Sequence, residues 1–265
     1  MATNIGWAQN PDGTKGEVWN PTTGCTKVSA GCQHCYAESV AERFWDGRPF
    51  TDVQCHPERL DIPLRWKKPR TVFVDSMSDL FHKDVPFEFI AAVFAVMGLA
   101  SRHTFLILTK RPRRMQSFWK VRKLLGSKPL PNVWLGVSAE NQETADERIP
   151  LLLATPAAVR FVSFEPLLGD IWLCVCGKRA GSAYDGTRAD CPLHGAHPIG
   201  WVIIGAESGA KRRPMEIYWM LHLIEQATGA GVPVFVKQDG AFRPGQQGRI
   251  PDDLWALKQF PEAVT

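Results

Sequence analysis

A chain of 265 residues, 45% hydrophobic and 22% charged, has the balance of a globular protein and can bury a sizeable core without disulfides or structural metals. Its 31 basic and 27 acidic residues leave a net charge of +4, too mild to demand a nucleic-acid partner and not opposed to one. The polar N-terminus carries no signal core or transit pattern, and the apolar stretch at 89–100 is too short to span a bilayer; a cytoplasmic chain without membrane association is the expectation.

In chain order, a weak strand at 17–20 precedes a loop with three cysteines and a helix-like run at 36–44. Six stronger runs, rich in β-branched and aromatic residues, follow at 71–75, 104–110, 133–138, 160–165, 201–207 and 232–237. Each is nearly all apolar inside, as strands buried on both faces of a parallel sheet should be. Between them, 87–100, 113–125, 142–153 and 215–228 have helical character, and Pro86, Pro112 and Pro214 stand where a first turn tolerates a missing N–H. Alternating strand and helix predicts an α/β fold: a parallel β/α partial or complete TIM-like barrel of six to seven strands, with an open doubly wound sheet as competitor.

Each strand run ends in a polar cluster: Asp75-Ser76-Met77-Ser78-Asp79, Lys110-Arg111, Ser138-Ala139-Glu140-Asn141, Ser163-Phe164-Glu165, Glu207-Ser208 and Lys237-Gln238-Asp239. In a barrel these converge on one face. Lys110, Glu165, Glu207 and Lys237 are the candidate acid–base groups there.

The seven cysteines cluster rather than scatter. Cys25, Cys32 and Cys35 follow a C-x6-C-x2-C spacing on one loop. Three thiolates can hold three irons of a [4Fe–4S] cluster and leave the fourth open, whereas a closed zinc site needs a fourth ligand, from His34, Cys55 or His56. Cys174, Cys176, Cys191 and His194, with His197 as alternate, form a candidate zinc site in an insertion at 170–199.

The block from Cys25 to Tyr36 resembles the cluster loop of radical S-adenosylmethionine (SAM) enzymes, and the segment Trp19-Asn20-Pro21-Thr22-Thr23-Gly24-Cys25 leads into it. With Asp75 to Phe81, Leu108-Thr109-Lys110-Arg111-Pro112 and Ser163-Phe164-Glu165-Pro166-Leu167, the whole chain resembles a largely phage-encoded three-cysteine family within or beside that superfamily. Six residues separate the first two cysteines, where the superfamily usually has three. The resemblance implies one β/α barrel domain over 1–265 and a cluster whose open iron chelates SAM. An external electron donor would drive cleavage to a 5′-deoxyadenosyl radical. It also implies Asp75, Ser76 and Ser78 near the methionine amine, and Ser138, Glu140 and Asn141 near the ribose. An isomerase, transferase or lyase acting on a nucleic-acid base, as in phage DNA modification, is the implied activity.

Basic residues gather at Lys110, Arg111, Arg113, Arg114, Lys120, Arg122 and Lys123, interleaved with Phe118 and Trp119 and followed by Trp134; Lys211, Arg212 and Arg213 form a second group. Such patterns suit phosphates and stacked bases, or equally a solvated helix with its aromatics turned to the core. Two rival functions remain. One is a zinc-stabilised nucleic-acid-binding protein without redox chemistry. The other is a hydrolase or lyase using Glu165, Glu207 and Lys237.

Overall fold

The structure is a computed structural model describing residues 2–124, 126–173, 191–194 and 198–262. Its elements are β1 (Glu17–Trp19), β2 (Thr22–Thr23), α1 (Tyr36–Phe44), β3 (Gln54–Cys55), α2 (Ile62–Arg65), β4 (Thr71–Val74), α3 (Phe87–Leu99), β5 (Thr104–Thr109), α4 (Pro112–Leu124), β6 (Val133–Ser138), α5 (Gln142–Leu153), β7 (Val159–Phe164), β8 (Trp201–Gly205), α6 (Ile217–Gly229), β9 (Val234–Gln238) and α7 (Asp252–Trp255). Seven strands form one sheet in the order β1-β4-β5-β6-β7-β8-β9, while β2 and β3 make a separate antiparallel pair. The sheet order follows the chain and leaves β1 and β9 as edges. The parallel α/β fold is therefore as expected, with the order of a partial barrel and not of a closed one.

The chain divides into two compact units, Met1–Gly136 with Thr155–Ala158, and Val137–Ala154 with Val159–Ala263. In the first, β4 pairs in parallel with β1 (Trp19 opposite Val74) and with β5 (Val74 opposite Ile107). All four residues of β4 are buried because helices cover the sheet. Helix α3 buries Ile90, Val93, Phe94 and Met97, and α4 buries Met115, Phe118 and Trp119. A fully buried side chain of this size contributes about 1.5–3 kcal/mol relative to an exposed one. The Phe118 ring lies 5.2 Å from Phe94 and 6.1 Å from Phe81, so α4 is anchored by an aromatic cluster.

In the second unit, β8 pairs in parallel with β7 and β9, with a register shift between Ile204 and Gly205. All five residues of β8 are buried. The α5 start is fixed by Asn141, whose side chain accepts from the Thr144 N–H in a capping box. Helix α6 turns Met220, Leu223, Ile224 and Ala227 inward. Since the strands of each unit run parallel, the loops that follow them gather on one edge, which is where this class of fold builds sites.

Candidate functional site

In the first unit the three-cysteine loop leaves β1, passes through β2 and ends at α1. Gly24 sets its path: φ is +91°, and a Cβ there would lie 2.3 Å from the Asp52 carbonyl oxygen. The Gly24 N–H donates to Met77 O (3.0 Å), Ser78 Oγ donates to Gly24 O (2.6 Å), and the Cys25 N–H donates to Phe50 O (2.8 Å). At the other end, Tyr36 OH donates to Ser76 O (2.6 Å). Both ends of the loop are thus fastened to the turn that follows β4. Ser76 Oγ is meanwhile engaged with Asn20 Oδ1 (3.1 Å).

None of Cys25, Cys32 and Cys35 is in a disulfide, and all three are half-buried. Cys35 occupies the N-cap of α1, yet its thiol makes no capping bond. A cysteine here forgoes the cap that Ser, Thr, Asp or Asn would supply, commonly about 1 kcal/mol. Cys25 feels the charge of Cys32, and Lys27 that of both Cys32 and Cys35. Burial, with the Asp79 carboxylate next, pushes the Cys25 thiol up to about 12, although Arg111 pulls the other way. A protonated Cys25 donates weakly to Thr26 O (3.5 Å).

Beneath Cys25, Arg111 Nη2 donates to Thr26 O (2.8 Å) and Thr26 Oγ1 (2.9 Å), and its Nε stands 3.9 Å from Asp79 Oδ2. Buried Asp79 also accepts from Thr109 Oγ1 (2.7 Å) and from the N–H groups of Phe81 (3.0 Å) and Lys110 (3.1 Å). His82 is fully buried, and its Nδ1 accepts from the Asp84 N–H (3.2 Å). That assigns the ring proton to Nε2, 2.8 Å from Thr26 Oγ1. Burial, then the Arg111 charge, holds the His82 pKa below its ordinary value. Lys110 contributes its backbone to this network.

Asp75 is the strained residue of the turn. Its φ is +58°, uncommon for a residue with a Cβ, and it is 4% exposed. One oxygen accepts from the Thr22 N–H (3.0 Å); the Thr22 hydroxyl also draws on the carboxyl, but among the described residues neither it nor the second Asp75 oxygen makes a well-formed hydrogen bond. Burial pushes the carboxyl up to about 8 against the pull of Thr22. Asp75 lies under the β2–β3 pair, where it raises the pKa of the Cys55 thiol after burial has done so.

The second unit gathers other predicted residues. Lys237 Nζ on β9 is 2.6 Å from Glu165 Oε1, and Ser163 Oγ donates to Glu165 Oε2 (2.9 Å). Gly205 on the intervening strand permits the pair, since a Cβ there would lie 3.0 Å from Glu165 Oε1 and 3.3 Å from Lys237 Cβ. Glu207 is held by the Arg213 N–H (2.8 Å), Nε (3.1 Å) and Nη2. Asp239 receives Arg249 through Nε (2.9 Å) and Nη2 (2.8 Å). Burial would raise the Asp239 pKa, but Arg249 and backbone N–H groups hold it below the usual carboxylate range. Glu140, fully buried, pairs with Arg148 Nη1 at 3.0 Å, and the same Nη1 donates to Ser138 O (2.8 Å). The arrangement therefore supplies one Lys–Glu–Ser group and three carboxylates already taken by arginines.

A family model described as "Protein of unknown function (DUF5131)" matches residues 2–256. The chain belongs to the DUF5131 family. No curated protein and no solved structure matches it. The resemblance to radical SAM enzymes and their three-cysteine relatives is thereby corrected: the match over nearly the full chain is to DUF5131, and no radical SAM family model matches. The six-residue spacing between Cys25 and Cys32 is the departure that the resemblance had to absorb.

Among the described residues of this DUF5131 member, no three His, Cys, Asp or Glu side chains are already converged as a metal cage. The donor chemistry of Cys25, Cys32 and Cys35 nevertheless fits an iron–sulfur group. All three are soft thiols outside disulfides, and Cys25 sits where burial disfavours a bare thiolate but a bound cation would offset that cost. In the candidate zinc insertion, Cys191 Sγ lies 3.3 Å from His194 Nδ1, while Cys174, Cys176 and His197 are outside the described residues. The stacking surface suggested by Phe118 and Trp119 is corrected, because they are 2% and 3% exposed and serve the core. Arg114 and Arg122 lie over aromatic rings of that core, Arg114 over Phe87 and Arg122 over Phe94. The residues that sequence reasoning missed are Asp79 as the carboxylate beside Cys25, and Thr22, His82 and Tyr36 as the groups that fix the loop.

No helix among the described residues is long and apolar enough to cross a membrane.

Proposed function

We propose that Cys25, Cys32 and Cys35 hold a [4Fe–4S] cluster with one open iron, and that the chain is an enzyme using S-adenosylmethionine at that iron to modify a nucleic-acid base. One observation carries it: a three-thiol loop fastened at both ends to the half-buried turn that follows the strained, buried Asp75 after β4. Such a cluster, when bound, offers a chelating site and one-electron reduction by an external donor.

The chain's own residues do the rest. Arg111 brings positive charge beside Cys25 and fixes Thr26, which offsets the charge of thiolate ligands. Tyr36 holds the start of α1, and with it Cys35, against Ser76 O. The unsatisfied Asp75 oxygen and Thr22 Oγ1 make a buried polar spot beside the loop. A second reading, the zinc-stabilised nucleic-acid binder, is favoured by the Cys191–His194 contact.

Electron paramagnetic resonance of anaerobically reconstituted, reduced protein separates the readings. The expected result is a cluster signal that changes shape on adding S-adenosylmethionine, with release of 5′-deoxyadenosine. A cluster signal untouched by S-adenosylmethionine would remove the cofactor from the reading. A colourless zinc protein would leave the second one.

A further inference from the structure

The loops after β8 and β9, residues 206–216 and 239–251, are joined edge to edge. Ser208 bridges Ala241, the Gly209 N–H donates to Ala241 O (3.0 Å), and the Ala206 N–H donates to Gln238 O (3.0 Å). Next to Ala241 stands Phe242, 69% exposed, followed by exposed Arg243. Two residues beyond Gly209, on the other loop, come exposed Lys211 and Arg212. An aromatic ring in solvent, on paired loops that also carry three exposed cations, is not explained by folding.

The buried carboxylates explain why these loops are firm. Asp239 clamps Arg249, which also donates to Met215 O (2.7 Å), and Glu207 clamps Arg213. The Gly245 N–H is held by Gln238 Oε1 (2.9 Å), and the Asp239 N–H donates to Gln246 O (2.9 Å). Glu207 and Asp239 are thus neutralised within the fold, and Glu216 is the exposed acid on these loops, in the field of Arg249. Five basic and three acidic residues leave the two loops a surplus of two positive charges. A comparable ring in the first unit, Phe44, is 67% exposed, but Arg43 already lies over it (5.6 Å) and Glu42 and Asp46 flank it in sequence, so no surplus of positive charge stands there.

We infer that the loops after β8 and β9 form a docking platform for single-stranded nucleic acid, with a base stacked on Phe242 and phosphates met by Lys211, Arg212 and Arg243. An exposed ring on a loop whose backbone is held offers its face to an unpaired base, whereas duplex pairing hides the faces of the bases. Cations on a loop already ordered lose little conformational freedom on meeting phosphates. One phenylalanine is a weak membrane anchor, which sets an anionic lipid surface aside as the occupant. The inference goes beyond the enzyme reading above: it names a binding surface within the second unit and does not depend on a cluster at the cysteines. Binding is measured separately from iron content, so either can fail without the other.

The test is fluorescence anisotropy of the full-length protein with a labelled oligo-dT of about fifteen nucleotides, within the span such platforms cover. The expected result is binding that weakens with salt and is stronger than to the matching duplex. Phe242→Ala should weaken it on the order of tenfold, while Phe242→Trp keeps it. Lys211→Ala, Arg212→Ala or Arg243→Ala should each lower the salt slope by about one. Circular dichroism of the exposed-site variants should match the parent. Equal affinity of Phe242→Ala and parent, equal affinity for duplex, or binding to phosphatidylserine vesicles in place of the oligonucleotide would each overturn the platform.

Discussion

The polar strand ends of the two units look alike in sequence and differ in what meets them. In the second unit, Glu140, Glu207 and Asp239 are each closed by an arginine, Arg148, Arg213 and Arg249. In the first, Asp75 keeps an unsatisfied oxygen, and the three thiols carry no disulfide. A carboxylate already paired and buried holds loops together; a buried polar group left open holds a place for something else. That difference is the ground for proposing chemistry in the first unit and scaffolding in much of the second.

The largest effect should come from the cysteines. Alanine at Cys25, Cys32 or Cys35 should each remove nearly all iron from reconstituted protein, since no other soft donor stands on that loop, while Cys55→Ala keeps it. Colorimetric iron analysis reads this, and unchanged iron in all three variants would dissolve the contrast between the units.

Breaking a paired carboxylate should cost stability. Arg148→Ala takes a buried charged partner from Glu140, and about 3–5 kcal/mol of unfolding free energy should be lost in urea titrations. A loss below about 1 kcal/mol would make the pair dispensable, and the scaffolding role with it.

Asp75 should behave in the opposite way. Its folded pKa, about 8, lies above the value of about 3.9 expected in the unfolded chain. The native state therefore binds the extra proton, and the stability this group contributes is complete below about pH 4 and lost as pH rises towards 8. Asp75→Asn keeps an acceptor for the Thr22 N–H and carries no charge. It should be more stable than the parent by on the order of a few kcal/mol at pH 8, and the gap should close towards pH 4. Thermal melts across that range check the sign; a gap that widens on acidification would refute the assignment.

The smallest change in stability belongs to the Lys237–Glu165 pair, whose side chains are 26% and 12% exposed. Lys237→Met should shift the unfolding free energy by only about 1 kcal/mol while reducing turnover, if the pair serves the reaction. Full turnover in that variant would return Lys237 and Glu165 to the scaffold beside Glu207.

Much of the fold was legible because buried parallel strands announce themselves as apolar runs. The run at 133–138 is β6 to the residue, and 104–110 and 201–207 overshoot β5 and β8 only at their polar ends. The pair β2–β3 escaped because two-residue strands have no periodicity to read. In the site, the cysteine loop and the turn at Asp75 to Asp79 were visible as motifs, and the structure does bring them together. Partners were not visible: Arg148 lies 8 residues from Glu140, Arg213 lies 6 from Glu207, and Arg111 meets Thr26 across 85 residues. Charge counts cannot separate a paired acid from an open one. Nor could composition tell that Phe118 and Trp119, set among basic residues, face the core, while Phe242 faces solvent.

The central claim is tested most directly by counting metals in protein purified without oxygen. Iron, acid-labile sulfide and zinc should be measured per chain in the parent and in Cys35→Ala. The expected result is about four irons and four sulfides in the parent, and almost none in the variant. Less than one iron per chain in the parent, or equal iron in both proteins, would contradict it.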